Sequence, residues 1–125
     1  MADPSTFLFK LASAIATAEG AFVSNSLPEK NNNPGDLRGA PWINHPVIEH
    51  GFWVASSRAA GLAGLYHQIS LGIARGESLR KLISIWAPST DGNNTENYIK
   101  ETARRVGLTD VDTPLWNELE ITRIP

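Results

Sequence analysis

One glutamate lies where its carboxyl group could act as a proton donor. Apolar residues recur at helical spacing near the N-terminus, at Leu8, Leu11, Ala12, Ile15 and Ala18. At about 100° per residue, Glu19 lies about 40° from Ile15 around the same helix and therefore within the apolar stripe. Burial would raise the pKa of such a carboxyl group, which could then deliver a proton to a leaving oxygen. The alternative is a terminal helical residue that bends out to solvent, and periodicity does not decide between the two.

Other chemistries have little support in the sequence. The chain has no cysteine, which excludes disulfides, a thiolate nucleophile and a cysteine-based zinc site. His45, His50 and His67 lack metal-ligand spacing, and we expect neither a metal nor another cofactor. There is no Gly-x-Ser-x-Gly elbow and no phosphate-binding glycine loop. The net charge of −2 gives no reason to expect nucleic acid as a partner.

The first helix and the loop after it would position Glu19. Asp3-Pro4 predicts a helix start, and Gly20 predicts the end of that helix directly after Glu19. Residues 21–48 are rich in Asn, Pro and Gly and predict a long loop, and loops of this length in compact domains are often functional. Short extended pieces around Leu37 and from Val47 to Val54 could pair as a small hairpin.

The rest of the chain predicts further helices. One is capped by Ser56 or Ser57, ends at Gly76 and buries Leu62, Leu65, Tyr66, Ile69 and Ile73. The others run from Ser78 to Ala87, from Thr95 to Gly107, and as a last short helix from Thr113-Pro114. We therefore expect one domain over residues 1–125, of the α+β class and predominantly α. Trp86 is expected in the core, whereas Trp42 and Trp53 could stack on sugar rings or, more commonly, belong to the core.

Two ordered motifs resemble a known group of proteins. Residues 15–20 (IATAEG), followed by residues 32–38 (NNPGDLR), resemble small phage and prophage proteins of the lysozyme-like, lytic-transglycosylase-like group. Residues 85–88 (IWAP) with 94–99 (NTENYI) resemble the second half of the same pattern. The resemblance covers about residues 15 to 107. It implies a lysozyme-like fold with a small β-hairpin insertion, and cleavage of the β-1,4 bond between N-acetylmuramic acid and N-acetylglucosamine in peptidoglycan.

The resemblance also assigns roles to residues. Glu19 matches the general acid at the end of the first long helix, and Tyr98 matches a tyrosine that lies near the acid and helps to hold the substrate. Asn33, Asp36 and Arg38 become candidate sugar contacts. The group has asparagine where this chain has Asp36, so Asp36 either binds sugar or acts as a second carboxylate.

The presence or absence of a second carboxylate decides the mechanism. A retaining or inverting hydrolase needs a partner acid at a set distance, and the candidates are Asp36, Glu29 and Glu49. A lytic transglycosylase works with a single glutamate, because a group of the sugar itself is the nucleophile and the product is an anhydro sugar. We favour the transglycosylase, since no second acid lies in a recognisable motif.

Two other functions remain open. The chain could be an inactive module with a lysozyme-like fold that binds the cell wall or belongs to a virion, or an unrelated helical interaction protein. A glutamate on the apolar stripe favours the enzyme, because a pure binder has little reason to bear the cost of desolvating it. The expected partners are peptidoglycan glycan strands, without nucleic acid or stable membrane insertion, and the expected state is a monomer.

The expected location follows from the N-terminus. Residues 1–4 (MADP) lack the basic region of a signal peptide, and no stretch of the sequence is apolar enough to cross a bilayer. We therefore expect a phage virion or the bacterial cytoplasm, with delivery to the periplasm or cell wall by a route other than general secretion.

Overall fold

The structure is a computed structural model that describes residues 4–119, with side chains described from residue 6. Within these residues there are five α-helices, one β-hairpin and two short 3-10 helices. The bounds are α1 Pro4–Glu19, α2 Leu27–Lys30, β1 Val47–Glu49, β2 Phe52–Val54, α3 Arg58–Ala74, α4 Leu79–Trp86 and α5 Thr95–Val106, with the 3-10 helices at Ser89–Asp91 and Leu115–Leu119. The predicted α+β class, predominantly helical with one small hairpin, is confirmed.

The described residues form two compact units. The terminal unit contains the residues up to Ala14 and from Ile69 onward, and the central unit contains Ile15–Gln68. The chain passes from one unit to the other within α1 and within α3. Over residues 4–119, no helix is long and apolar enough to span a membrane.

Side-chain caps set the helix ends in the terminal unit. The Ser78 hydroxyl accepts a hydrogen bond of 3.1 Å from the Lys81 amide at the start of α4. Asn94 makes the equivalent bond at the start of α5, which ends at Gly107 in the left-handed conformation. Helices α4 and α5 pack together, and the residues they bury are Leu79, Leu82, Ile83, Ile99, Thr102, Ala103 and Val106.

Burial along α1 only partly follows the predicted stripe. The buried residues are Phe7, Leu11, Ala12, Ala14, Ile15 and Ala16. The prediction is wrong for Leu8, which is half-buried, and for Ala18, which is exposed. Both lie on the buried side of the helix by angle, so periodicity alone does not predict their exposure. Trp86, expected in the core, is half-buried at the end of α4.

In the central unit, α3 begins after Ser57, which caps it by accepting a 3.0 Å hydrogen bond from Ala60 N. The predicted buried residue Leu65 is 1% exposed, but Leu62 is 48% exposed and its prediction is wrong. The face next to Leu62 instead presents glycines. A Cβ on Gly61 would lie 1.6 Å from the Asn32 carbonyl oxygen.

Gly64 continues this glycine face by one turn. A Cβ on Gly64 would lie 2.6 Å from a carbon of the Trp53 ring. Close packing of backbone and ring against α3 therefore adds to the predicted apolar stripe, of which Leu65, Ile69 and Ile73 are buried. Apolar periodicity cannot detect such a face, because glycine adds little to the pattern.

The hairpin lies entirely within residues 47–54. Strands β1 and β2 are antiparallel, with Ile48 opposite Trp53. They join through His50 and Gly51, whose φ values of 52° and 81° suit a two-residue turn of the primed type. Leu37, predicted as an extended partner, is not in a strand, but its carbonyl oxygen accepts a 2.9 Å hydrogen bond from Trp53 N.

The glycine face makes a prediction about stability. Gly61→Ala should lower the free energy of unfolding by about 3 kcal/mol, because the new methyl group forces α3 away from the loop at Asn32. The control is Gly39→Ala, since a Cβ at Gly39 has nothing within 4 Å. Urea unfolding of both variants measures the effect, and equal stability of the two variants would contradict the assignment.

Candidate functional site

Glu19 is the last residue of α1 and is half-buried. Its environment therefore lies between the buried and solvent-exposed alternatives that the sequence left open. Gly20 follows with a φ of 84°, a left-handed conformation that glycine adopts without steric cost. The amide of Ala21 donates a 3.0 Å hydrogen bond to the carbonyl oxygen of Ala16, which closes the helix end.

The Ser26 side chain connects the turn after Glu19 to α2 through hydrogen bonds. The Ser26 hydroxyl donates a 2.7 Å hydrogen bond to the Gly20 carbonyl oxygen. The same hydroxyl caps α2 by accepting a 3.3 Å hydrogen bond from Glu29 N. One side chain thus fixes both the start of α2 and the exit of the chain from the helix that carries Glu19.

Asn33 organises the loop that follows. Its side chain is 0% exposed, and its Nδ2 donates hydrogen bonds of 2.9 Å to the carbonyl oxygens of Leu37 and Trp53. Its Oδ1 accepts a 3.0 Å hydrogen bond from Leu37 N. Both amide hydrogens are therefore used by the backbone. An amide whose hydrogens are both used has no donor left for a ligand, and the expectation that Asn33 contacts sugar stays a prediction.

Asp36 is half-buried and has a φ of 50°. Its amide donates a 3.0 Å hydrogen bond to the Asn33 carbonyl oxygen, which closes the turn. Among the described residues, no partner reaches its buried Oδ1. Burial raises the pKa of this carboxyl group, and the positive charge of Arg38 partly opposes the shift. The turn thus holds an aspartate in a backbone conformation that asparagine also tolerates well.

The other predicted residues lie in different settings. Arg38 is exposed, and its guanidinium carbon lies 4.8 Å from the centre of the Phe52 ring, so a cation–π contact holds it against the hairpin. Tyr98 is half-buried on α5 and belongs to the terminal unit. Glu19, Asn33, Asp36 and Arg38 all belong to the central unit. Of the candidate second acids, Glu49 is exposed on β1.

A cavity of about 430 Å³ lies in the central unit. Its walls come from the turn after Glu19, from α2 and the loop after it, and from the start of α3: Ala21, Phe22, Ser24, Pro28, Glu29, Asn32, Asn33, Pro34, Arg58 and Leu62. Glu29 and Arg58 are its charged residues. Arg58 and Phe22 are not among the site residues that the sequence predicts, and Leu62 is predicted in the core but lines the cavity.

The two tryptophans near the hairpin, Trp53 and Trp42, differ in burial. Trp53 is 1% exposed and belongs to the core. Trp42 is half-buried, with its ring edge-on to Trp53 at 5.7 Å and 4.6 Å from the His67 ring. Trp53 is therefore not available for stacking on a sugar. Over the described part of the chain, no group of three His, Asp or Glu residues could hold a metal ion.

Glu77 is a buried acid that the sequence did not indicate. It belongs to the terminal unit, and its Oε2 lies 3.0 Å from Arg75 Nε. Its backbone oxygen accepts a 2.9 Å hydrogen bond from Leu115 N, and a Cβ on Gly72 would lie 2.7 Å from its Oε1. These contacts give Glu77 a structural role between α3 and the last 3-10 helix.

Comparisons of the chain with protein-family models, with curated proteins and with solved structures found no match.

The hydrogen bonds of Asn33 lead to a prediction about the stability of the folded protein. Asn33→Ala should lower the free energy of unfolding by about 3 kcal/mol, because buried carbonyl oxygens at Leu37 and Trp53 lose their donor. Asn117→Ala is the control, since Asn117 is exposed. Chemical unfolding measures both variants. A stability loss for Asn33→Ala no larger than that of the control would show that the amide is not structural.

The raised pKa of Asp36 leads to a prediction about how the stability of the folded protein depends on pH. The folded state holds the Asp36 proton more tightly than the unfolded state, so its stabilising contribution is complete below pH 3.8 and is lost as pH rises through the higher folded-state pKa. Asp36→Asn removes this dependence and should be more stable than the unmodified protein at pH 7 but not at pH 3. Urea unfolding across this range tests it, with Glu49→Gln as control. A stability difference that does not change with pH would contradict it.

Proposed function

We propose that the protein cleaves the β-1,4 glycosidic bond between N-acetylmuramic acid and N-acetylglucosamine in peptidoglycan, with Glu19 as general acid and then base, on a lysozyme-like fold. The observation that carries the proposal is the position of Glu19. It ends the first long helix, is half-buried, and precedes the left-handed Gly20 turn. The loop with the motif resemblance and the small hairpin follow in the same unit.

This setting suits a proton donor. Gly20 has no side chain, and a Cβ there would meet nothing within 4 Å, so the space at Gly20, next to Glu19 in the chain, is open. A glycan strand needs such an opening, since it must bring its glycosidic oxygen within hydrogen-bond distance of the acid.

In the proposed reaction, Glu19 gives its proton to the glycosidic oxygen as the bond from that oxygen to C1 of the muramic acid breaks. The ionised Glu19 then accepts the proton of the muramic acid C6 hydroxyl as its oxygen bonds to C1. The products are a strand with a new free hydroxyl and an anhydro sugar, and Glu19 regains its starting form. In a hydrolase, water would take the place of the C6 hydroxyl.

The absence of a second acid from any recognisable motif favours the single-acid route. A hydrolase needs a second carboxylate as nucleophile or base, whereas a lytic transglycosylase works with one glutamate. Arg38 remains a proposed sugar contact, and the role of Tyr98, which belongs to the terminal unit, stays a prediction from the sequence.

Glu19→Gln tests the proposal. The amide keeps the shape of the side chain but cannot donate an acidic proton, so the rate should fall at least about 100-fold. The measurement is mass spectrometry of soluble products from purified peptidoglycan, with Glu118→Gln as an exposed control. Anhydromuropeptides from the unmodified protein and the control, but not from Glu19→Gln, are expected.

Other product patterns change the conclusion. Muropeptides with reducing ends would assign the protein to the hydrolases. No products from any of several wall types would contradict an enzyme and favour the wall-binding or virion module. A wall-binding assay then separates that module from an unrelated interaction protein.

A further inference from the structure

The cavity of the central unit contains two opposite charges that do not neutralise each other. Glu29 comes from α2 and Arg58 from the first residue of α3, and both line the same space of about 430 Å³. Among residues 6–119, neither side chain has an ion-pair partner within 4 Å. The cavity therefore offers a ligand one hydrogen-bond acceptor with negative charge and one donor with positive charge.

The same cavity has apolar walls. Phe22 is 73% exposed and Leu62 is 48% exposed, although both are large apolar side chains. Single exposed apolar residues are common, but two on one cavity give a ligand an apolar surface to cover. Cavities of 300–1,000 Å³ with a few polar groups are typical of sites for small ligands. The combination suits a short ligand that carries both charges and small apolar groups.

We propose that this cavity binds the peptide stem of peptidoglycan, with Arg58 pairing a stem carboxylate and Glu29 pairing the side-chain amine of a diamino acid. The inference rests on the proposed function and adds the part of the substrate beyond the sugars. The stem combines carboxylates, an amine and alanine methyl groups in a few residues. The N-acetylated sugars carry no cation for Glu29, so the charge pair favours the stem over the glycan.

The position of the cavity fits a stem attached near the bond that is cleaved. Phe22 is three residues from Glu19, so their Cα atoms are at most about 11 Å apart. An extended stem of three to four residues spans about 10–14 Å. The Ser26 bond to the Gly20 carbonyl oxygen holds the intervening turn to α2, which also carries Glu29. A stem on the muramic acid bound at Glu19 can therefore reach the cavity.

Binding of a soluble stem tests the site without requiring cleavage. The probe is N-acetylmuramyl-L-alanyl-D-isoglutamyl-L-lysine, titrated by NMR and calorimetry into the unmodified protein and four variants. We expect Arg58→Gln and Glu29→Gln each to weaken binding about tenfold, because each leaves one ligand charge unpaired. Arg105→Gln and Glu118→Gln, both exposed positions outside the cavity, are the matched controls and should bind as the unmodified protein does. Absent binding, or binding that all four variants retain, would overturn the proposal.

A second measurement separates this inference from the proposed function. The unmodified protein is incubated with glycan strands that carry stems and with strands whose stems an amidase has removed. Faster cleavage of the stem-bearing strands supports the site. Equal cleavage of both overturns the site and leaves the glycosidase standing. Tripeptide binding that depends on Arg58 and Glu29, without cleavage of either strand, supports the site and contradicts the glycosidase.

Discussion

The hydrogen bonds of the Asn33 amide hold the candidate site together. A buried amide that bridges Leu37 and Trp53 joins the loop to the second strand of the hairpin. Backbone groups in this loop belong to no helix or sheet, so they need such a partner when they are buried. Asp36 and Arg38 lie three and five residues after Asn33 in the chain, and their positions depend on this turn.

Other contacts help the Asn33 side chain to hold the loop in place. Gly61 lets α3 approach the backbone at Asn32, and Gly64 makes room for the Trp53 ring. At the other end of the loop, Ser26 links α2 to the turn after Glu19. These contacts connect the end of α1, the loop and the hairpin.

The sequence predicted features that depend on nearby residues. The cap at Ser78, the start of α5 at Thr95 and the helix end at Gly107 involve bonds within four residues, so residue type and position suffice to find them. Leu62, Asn33 and the glycine face depend on partners distant in sequence. An apolar period of 3.6 residues does not reveal that α3 contacts the loop backbone at Gly61. The polar side chain of a loop residue such as Asn33 does not reveal that the residue is fully buried. For the same reason, the sequence predicts Glu29 only as a candidate second carboxylate. It does not indicate the cavity that Glu29 and Arg58 line together.

The bonded turn at Asn33 also has a consequence for chemical ageing. Asparagine deamidates when the backbone nitrogen of the next residue loses its proton and attacks the side-chain amide to form a succinimide. Here the next residue is Pro34, whose nitrogen carries no hydrogen. The amide that organises the loop is thus protected by its neighbour from the reaction that would turn it into a carboxylate.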